Sequence, residues 1–318
     1  MALFLSENDV KTLLTVEMAL EAVESAHRDL ANGLAIDTPR ARSRLPQTVL
    51  HILQGALPGQ GVIGYKAYTS NKSGNRFLVH LFDAATGRLK AVIEANYLGM
   101  IRTGAASGVA ARWLARPDAS VAGVFGSGWQ AEGHVRAICA ALPLERVKVF
   151  SRKAEKLQDF CMRLSEATGV AVEPAESAED TVRGSDLIGT VTTAAFPLFD
   201  AAWLEAGVHI NAAGSNSLIR QELSEAAVRR CDLIAVDAVP TALAEAGDLL
   251  PVLEKGRLHA RQLVELGDVI VGRHAGRVAG EQITLFESQG MAIQDLAVAL
   301  RVLAAAEASG LGQVIPLE

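Results

Sequence analysis

The sequence predicts an α/β protein with a Rossmann-type, doubly wound parallel sheet and a separate α+β domain. With 318 residues, half of them hydrophobic, the chain is long enough to bury two cores. Residues 38–100 form β-rich segments divided by turn residues, whereas from Ser120 short apolar strands alternate with helices. Such alternation is typical of a parallel sheet that is covered on both faces.

The first domain is predicted to start with a helix over residues 15–34, which ends at Asn32-Gly33. An arginine-rich segment, 38–46, is a candidate strand, and an alanine-rich helix is expected over 100–115. The further predicted strands lie within 48–57, 61–70, 76–84 and 89–95.

The Rossmann-type domain is predicted to run from residue 118 to 291, because the strand and helix alternation fills that range. Residues 1–117 form the other predicted domain, and a long amphipathic helix is predicted near the end of the sequence, within 292–318.

Composition excludes several classes of partner. A net charge of −6 gives no electrostatic footprint for nucleic acid, and no apolar run is long enough for a membrane helix. The three cysteines are far apart and form no CxxC pair, so neither a disulfide framework nor a metal site is expected. We predict a cytoplasmic protein that acts on a small molecule.

The strongest motif is a glycine turn in "SVAGVFGSGWQAEGHVRAICAAL", where a strand passes through Gly126-Ser127-Gly128-Trp129-Gln130-Ala131 into a helix over 129–141. This G-x-G-x-x-A pattern is the dinucleotide fingerprint in its required context. Gly126 permits a tight turn, Gly128 lets the backbone approach a pyrophosphate, and Ala131 lets the helix pack against the strand. A merely tight or phosphate-binding turn is the alternative interpretation.

The end of the next strand indicates which dinucleotide is bound. NAD sites usually place an acidic residue there, whereas this chain has Ser151-Arg152-Lys153. A hydroxyl and two cations suit a 2′-phosphate, so NADP is predicted, with NAD as the alternative.

Cationic residues of the first domain are the candidates for substrate binding. Arg40, Arg42 and Arg44 alternate and would share one face of a strand, where a guanidinium could clamp a carboxylate. Lys66 lies inside an apolar strand; it either reaches solvent or is buried with a lowered pKa, ready for proton transfer. Arg102 is placed at the start of the alanine-rich helix, where a cation favours a nearby anion.

Taken together, these motifs resemble the ornithine cyclodeaminase/μ-crystallin family, in the same order and over nearly the whole chain. The matching segments are "GYKAYTS", "LFDAATGRLKAVIEANYLGMIRTGAASGVAARWLARPDAS", "GVFGSGWQA", "VFSR", "HINAAGS", "QEL", "EAGDLL", "LGDVIVGR" and "TLFESQGMAIQDLA".

The resemblance implies a two-domain homodimer, in which the C-terminal helix, 292–318, completes the substrate-binding and dimerisation domain, 1–117. It also implies a dinucleotide that is used for hydride transfer at the α-carbon of an amino acid or its imine. By position, Lys66 matches the family's active-site lysine and Arg102 its carboxylate-binding arginine. Arg40 best matches the second carboxylate-binding arginine, and Arg42 remains the alternative. The family also brings several loops near the nicotinamide, and the corresponding cofactor candidates are Thr103, Thr192, Ser288 and Gly290.

Two departures from cyclodeaminases decide between reactions. Asn216 stands where those enzymes have an aspartate, and an amide cannot act as a general base. His51 stands where they have a glutamate for the distal amine of ornithine, and both His51 and Asn216 are candidates for substrate binding. The sequence therefore predicts an NAD(P)H-dependent reductase of a small α-imino acid, of the ketimine reductase or amino-acid dehydrogenase type. The alternatives are an ornithine cyclodeaminase and a non-catalytic NADPH-binding protein.

Overall fold

The computed structural model describes residues 2–152 and 154–316. The chain divides into two compact units: residues 1–102 with 290–318, and residues 103–289. The sequence prediction placed these boundaries at 117/118 and 291/292. The observed first boundary falls inside the alanine-rich helix rather than after it.

The first unit begins with one strand and two helices, and a run of strands follows. The strand is β1 (Ala2–Leu5), and the helices are α1 (Glu7–Leu13) and α2 (Val16–Ala31). The run of strands comprises β2 (Ile36–Arg44), β3 (Thr48–Leu57), β4 (Val62–Asn71), β5 (Gly74–Asp83) and β6 (Leu89–Glu94). Helix α3 (Asn96–Leu114) follows and carries the chain into the second unit.

Helix α3 begins earlier than predicted, which corrects the interpretation of Arg102. The carboxylate of Glu7 accepts hydrogen bonds from the backbone N–H groups of Asn96 (2.5 Å) and Tyr97 (3.1 Å) and so caps the helix. Arg102 therefore lies in the second turn of α3. The prediction that it opens the helix was wrong, and the helix dipole gives no reason for an anion there.

The second unit alternates strands with mostly short helices. In chain order the elements are β7 (Val121–Phe125), α4 (Trp129–Ala141), β8 (Arg146–Phe150), α5 (Leu157–Thr168), β9 (Ala171–Pro174), α6 (Ala178–Val182), β10 (Leu187–Thr190), β11 (His209–Ala212), α7 (Glu225–Arg229), β12 (Leu233–Val236), α8 (Val239–Glu245), α9 (Leu250–Glu254), β13 (Leu263–Glu265), α10 (Leu266–Ile270) and β14 (Thr284–Glu287). The chain then returns to the first unit as α11 (Ala292–Ser309) and β15 (Gln313–Ile315).

The first unit is built on a seven-stranded sheet in the order β15-β1-β6-β5-β4-β3-β2. Helix α11 packs on strands β2 to β5 and on α2. Two glycines allow this close approach: a Cβ at Gly64 would lie 3.0 Å from the Leu296 side chain, and one at Gly55 would lie 3.0 Å from that of Ile293. The helix thereby covers the sheet face to which Gly55 and Gly64 belong.

The second unit is an eight-stranded sheet in the order β13-β12-β14-β11-β10-β7-β8-β9, with every strand pair parallel. Successive residues of β7 point to opposite faces, and Val124 and Phe125 pack into two different apolar clusters. A parallel sheet with an apolar core on each face is the predicted Rossmann-type architecture, and the predicted fold class is confirmed.

Candidate active site and cofactor-binding site

Lys66 is buried in the middle of the first unit's sheet. It lies on β4, two residues after Gly64, and so shares the face that α11 covers. Its side chain is 3% exposed, and Nζ lies 2.6 Å from Oδ2 of Asp295, which projects from α11 and is fully buried. The sequence left open whether Lys66 reaches solvent, and the structure buries it.

The Asp295 carboxylate binds a second cation, Arg102. Nε of Arg102 donates to Oδ1 of Asp295 at 2.7 Å, and its Nη1 donates to Oε1 of Gln294 at 3.1 Å. Gly290 has a φ of +78°, and a Cβ there would lie 2.7 Å from Nη1 of Arg102. The backbone thus approaches the guanidinium closely, and one carboxylate bridges Lys66 and Arg102.

The environment of Lys66 brings its proton affinity close to neutrality. Burial lowers the pKa of Lys66 most, and the charge of Arg102 lowers it further. The charge and hydrogen bond of Asp295 oppose both effects, and the resulting pKa is about 7. A lysine with such a pKa can both donate and accept a proton at neutral pH.

His51 lies beside this group on β3, opposite Arg42 of β2 and Tyr68 of β4. Its ring stacks on Tyr68 at 4.2 Å between centroids, and its Nε2 lies 3.0 Å from Oγ of Ser70. Burial, followed by the charges of Arg42, Arg40 and Arg44, lowers the pKa of His51 to about 4. His51 is therefore neutral at pH 7 and offers hydrogen bonds rather than charge.

The arginine-rich segment is strand β2, as predicted, with an irregularity in its pairing between Thr38 and Ala41. Arg40 and Arg42 are half-buried, whereas Arg44 is exposed. The charges of all three lower the pKa of His51, and the charge of Arg40 also lowers the pKa of Lys66.

The glycine turn of the second unit follows β7 and leads directly into α4, with the predicted helix boundaries. Gly126 has a φ of +117°, and a Cβ there would lie 2.6 Å from the carbonyl oxygen of Val191. Around Gly128, within the described chain, no atom lies within 4 Å of an added Cβ. The turn is therefore tight at its first glycine and open at its second, as a pyrophosphate on the first turn of α4 requires.

Neighbouring residues complete this cradle. Ala131 of α4 is fully buried, Gln130 is half-buried, and Trp129 is 49% exposed. At the end of β8, Oγ of Ser151 accepts a hydrogen bond from Oγ of Ser127 at 2.9 Å. Arg152 is exposed, and Lys153 lies outside the described residues. These residues fit a dinucleotide.

The remaining predicted site residues lie apart from the glycine turn in the chain. Thr103 is on α3, and Thr192 follows β10. Ser288 follows β14 and donates from Oγ to Oδ2 of Asp237 at 2.9 Å. Asn216 lies exposed in the loop after β11.

Sequence reasoning missed Asp295 and Glu222. Asp295 stands in "MAIQDLAVAL", an apolar helix segment in which an ionisable side chain needs a buried partner. Glu222 stands in a loop, and its carboxylate accepts from the backbone N–H groups of Thr192 and Gly214 at 2.6 and 2.8 Å. An ionisable side chain inside an apolar helix segment is the sequence signal by which Asp295 could have been found.

The described residues hold neither a metal-binding cluster nor a membrane-spanning helix. Across residues 2–152 and 154–316, no cluster of three or more His, Cys, Asp or Glu side chains is placed to hold a metal ion. In the same part of the chain, every helix is too short or too polar to cross a bilayer.

An all-parallel eight-stranded sheet with a glycine turn at the carboxyl end of β7 defines a dinucleotide-binding protein of the Rossmann type. The second unit carries this fold, and the first unit adds a buried lysine and arginine around one carboxylate. The chain belongs to the ornithine cyclodeaminase/mu-crystallin family, whose model matches residues 1–310.

Individual relatives match the whole length of the chain. A Δ1-pyrroline-2-carboxylate reductase of Bacillus cereus is 34% identical over 98% of this chain and 99% of its own. The structure of the Thermococcus litoralis Δ1-pyrroline-2-carboxylate reductase, in complex with NADH and L-proline, has a TM-score of 0.94 at 28% identity, covering 98% of this chain and 100% of its own. An archaeal alanine dehydrogenase dimer with bound NAD has a TM-score of 0.94 at 31% identity, covering 100% and 99%.

Proposed function

We propose that the protein is an NAD(P)H-dependent reductase of a small α-imino acid. The observation that carries this proposal is Lys66, buried at 2.6 Å from Asp295 and with a pKa of about 7. A buried lysine of this kind is suited to give a proton to an imine nitrogen at neutral pH. Relatives that reduce Δ1-pyrroline-2-carboxylate support the same reaction.

The residues of the first unit have distinct roles in the proposed reaction. Arg102, with Arg40 or Arg42, holds the substrate carboxylate, since a guanidinium fork matches two carboxylate oxygens. Lys66 protonates the imine nitrogen, and the Asp295 carboxylate stabilises the ammonium form before that transfer. In the reverse direction, neutral Lys66 accepts the proton of the amine.

The second unit holds the dinucleotide through the glycine turn, with Gly126, Gly128 and Ala131 shaping the cradle. When bound, the dihydronicotinamide supplies the hydride that the α-carbon receives. We propose NADP(H) as the preferred cofactor because Ser151 and Arg152 end β8 without a carboxylate, and NAD(H) as the alternative.

Two alternatives have less support. Ornithine cyclodeamination lacks a general base at Asn216, which is an amide, and lacks an anion at His51, which is neutral at pH 7. A purely NADPH-binding protein would have no use for a lysine whose pKa is near 7.

We also propose the cytoplasm as the compartment. The three free thiols and the proposed nicotinamide cofactor support it.

The proposal is tested by cofactor oxidation. The protein is mixed with NADPH, or in parallel NADH, and with Δ1-pyrroline-2-carboxylate or an α-keto acid plus amine. Ornithine with catalytic NAD is run beside it, with ammonia and proline as readouts. Steady cofactor loss with an imine supports the reductase. Ammonia and proline without net cofactor change would replace it with the cyclodeaminase.

The pKa of Lys66 predicts opposite pH profiles for the two directions. For imine reduction the ammonium form is needed, so kcat/KM is expected to fall about tenfold per pH unit above about 7. For amine oxidation the neutral form is needed, so kcat/KM is expected to rise with pH up to about 7 and then level off. Steady-state kinetics from pH 5.5 to 9.5 measure both limbs. A Lys66→Arg variant, which keeps the charge but does not titrate there, controls for ionisation of the substrate. Matching profiles in this variant and the wild type would contradict the role of Lys66.

We further propose a homodimer formed by the sheet of the first unit. Lys66 faces α11, so its neighbours Tyr65 and Ala67 point to the opposite face. That face carries stacked Tyr65 and His80, 4.6 Å apart, beside exposed Ile63 and Leu78. A broad apolar sheet face of this kind suits a self-complementary interface, and an archaeal alanine dehydrogenase relative is a dimer.

Substitution of Ile63 by glutamate is expected to convert the dimer to a monomer, because the charge would be buried unpaired at the interface. Light scattering coupled to gel filtration measures the mass. Met162→Glu, at an exposed apolar residue on α5, is the control that should stay dimeric. An Ile63→Glu protein that remained dimeric would place the interface elsewhere.

A further inference from the structure

The second unit contains a carboxylate that joins two loops at the carboxyl ends of neighbouring strands. Glu222 is fully buried. Its Oε1 accepts a hydrogen bond from the backbone N–H of Thr192 at 2.6 Å, in the loop after β10. Its Oε2 accepts one from the backbone N–H of Gly214 at 2.8 Å, in the loop after β11. One side chain therefore sets the spacing between the loops that follow two neighbouring strands.

The Glu222 carboxylate lies close against the backbone of Gly214. A Cβ at Gly214 would lie 2.5 Å from the Glu222 carboxyl group, so only glycine lets the carboxylate approach the backbone. The two loops also pair directly, through Ala195 and Gln221. The backbone N–H of Leu198 donates to the carbonyl of Glu222 at 2.9 Å. Glu222 is thus held at its backbone while its side chain holds the loops.

These loops follow the carboxyl ends of the strands, where a dinucleotide is expected to bind. Strand β10 is hydrogen-bonded to β7, which carries the glycine turn, and β11 is the next strand. Ligands of doubly wound sheets bind at the carboxyl ends of the strands. The loops carry Thr192 and Asn216, two of the residues that the sequence predicted for cofactor and substrate binding.

We propose that Glu222 is a positioning residue for the reaction: its carboxylate holds the backbones of Thr192 and Gly214 in the arrangement that dinucleotide binding requires. Glu222 does not react. It acts by accepting two N–H groups at once, which only the ionised carboxylate does with both oxygens. The inference rests on the proposed dinucleotide site and is independent of the substrate that is reduced.

The surroundings of Glu222 make this arrangement sensitive to pH. Burial raises the pKa of Glu222 to about 7, and the negative charge of Asp248 contributes, against hydrogen bonding from Thr192. Asp248 packs from the loop between α8 and α9, and it accepts the backbone N–H groups of Glu222 and Leu223 at 2.7 and 2.9 Å. Glu287 at the end of β14 faces the same group and also has a raised pKa.

Protonation of Glu222 turns one oxygen into a donor and releases one of the two loops. Since the ionised form is the binding-competent form, dinucleotide affinity is expected to fall as pH falls through about 7. If NADH binds only when Glu222 is ionised, the Kd for NADH rises about tenfold between pH 8 and pH 6.

The test is the Kd for NADH, measured by fluorescence titration from pH 6 to pH 8.5 without substrate. Glu222→Gln removes the titration and one acceptor, so its Kd is expected to be flat with pH and at least as high as the wild-type value at pH 6. Glu205→Gln is the control, because Glu205 accepts the backbone N–H of Gly184 at 3.2 Å in an exposed loop. Its pH profile should match that of the wild type. A wild-type profile in Glu222→Gln would overturn the inference.

A second variant keeps the test decisive if Glu222→Gln does not fold. Glu222→Asp keeps the acid but is one methylene too short to reach both N–H groups, so its Kd should be raised at every pH. An unchanged Kd in Glu222→Asp would overturn the inference. These outcomes distinguish the inference from the proposed function. If the protein reduces imines but the Glu222 variants leave the Kd for NADH unchanged, only this inference is rejected. A Glu222-dependent Kd with no imine reduction rejects only the proposed function.

Discussion

Replacement of Lys66 by alanine is expected to lower kcat for imine reduction by about 10²- to 10⁴-fold, the range for loss of a positioned general acid. The reason is that Lys66, buried beside Asp295 and with a pKa of about 7, is the proposed proton donor. The Kd for NADH should be nearly unchanged, since the glycine turn belongs to the second unit. Steady-state turnover and a fluorescence titration with NADH measure the two quantities.

A second buried lysine provides the matched control. Lys148 on β8 donates to the backbone carbonyl groups of Asp180 and Arg183 and has a structural role. Lys148→Ala should lower stability while a folded sample keeps its kcat. If Lys66→Ala turned over imines at the wild-type rate, proton donation by Lys66 would be refuted.

Substitution of Asp295 by asparagine is expected to have the largest effect on stability. The Asp295 carboxylate binds Lys66 Nζ at 2.6 Å and Arg102 Nε at 2.7 Å, and its loss leaves two buried cations without their counter-ion. Breaking a buried pair in this way costs about 3–5 kcal/mol of unfolding free energy. Because Asp295 raises the pKa of Lys66, that pKa should fall further in the variant. The alkaline limb of kcat/KM for reduction should then move to lower pH.

Urea unfolding and the pH–rate profile measure the two effects of Asp295→Asn. The control is Glu173→Gln, which removes an exposed ion pair with Arg146 and should change the unfolding free energy by less than about 1 kcal/mol. Wild-type stability together with a wild-type pH profile in Asp295→Asn would show that Asp295 is not the counter-ion of Lys66.

Local patterns predicted the second unit well. The turn from Gly126 to Ala131 and the helix over 129–141 were predictable because the tight turn, the helix start and the close packing are all encoded within a few neighbouring residues. The strand and helix alternation after Ser120 likewise predicted the parallel sheet, since each buried strand is a short apolar run.

Contacts between distant parts of the chain were beyond sequence reasoning. The start of α3 was misplaced because its cap, Glu7, lies 89 residues before Asn96. The burial of Lys66 depends on α11, and its counter-ion Asp295 arrives from the far end of the chain. Glu222 gave no local signal, because its role depends on the backbone of two loops rather than on its neighbours in sequence.

The return of α11 and β15 to the first unit has a consequence for the order of events during translation. Residues 103–289 leave the ribosome before α11 exists, so the parallel sheet can fold while the first sheet still lacks its covering helix. Until then Lys66 and Arg102 have no Asp295 to pair with, and the nascent chain exposes the apolar face around Gly55 and Gly64. The group of Lys66, Arg102 and Asp295 is therefore assembled last, when synthesis of the described chain is nearly finished.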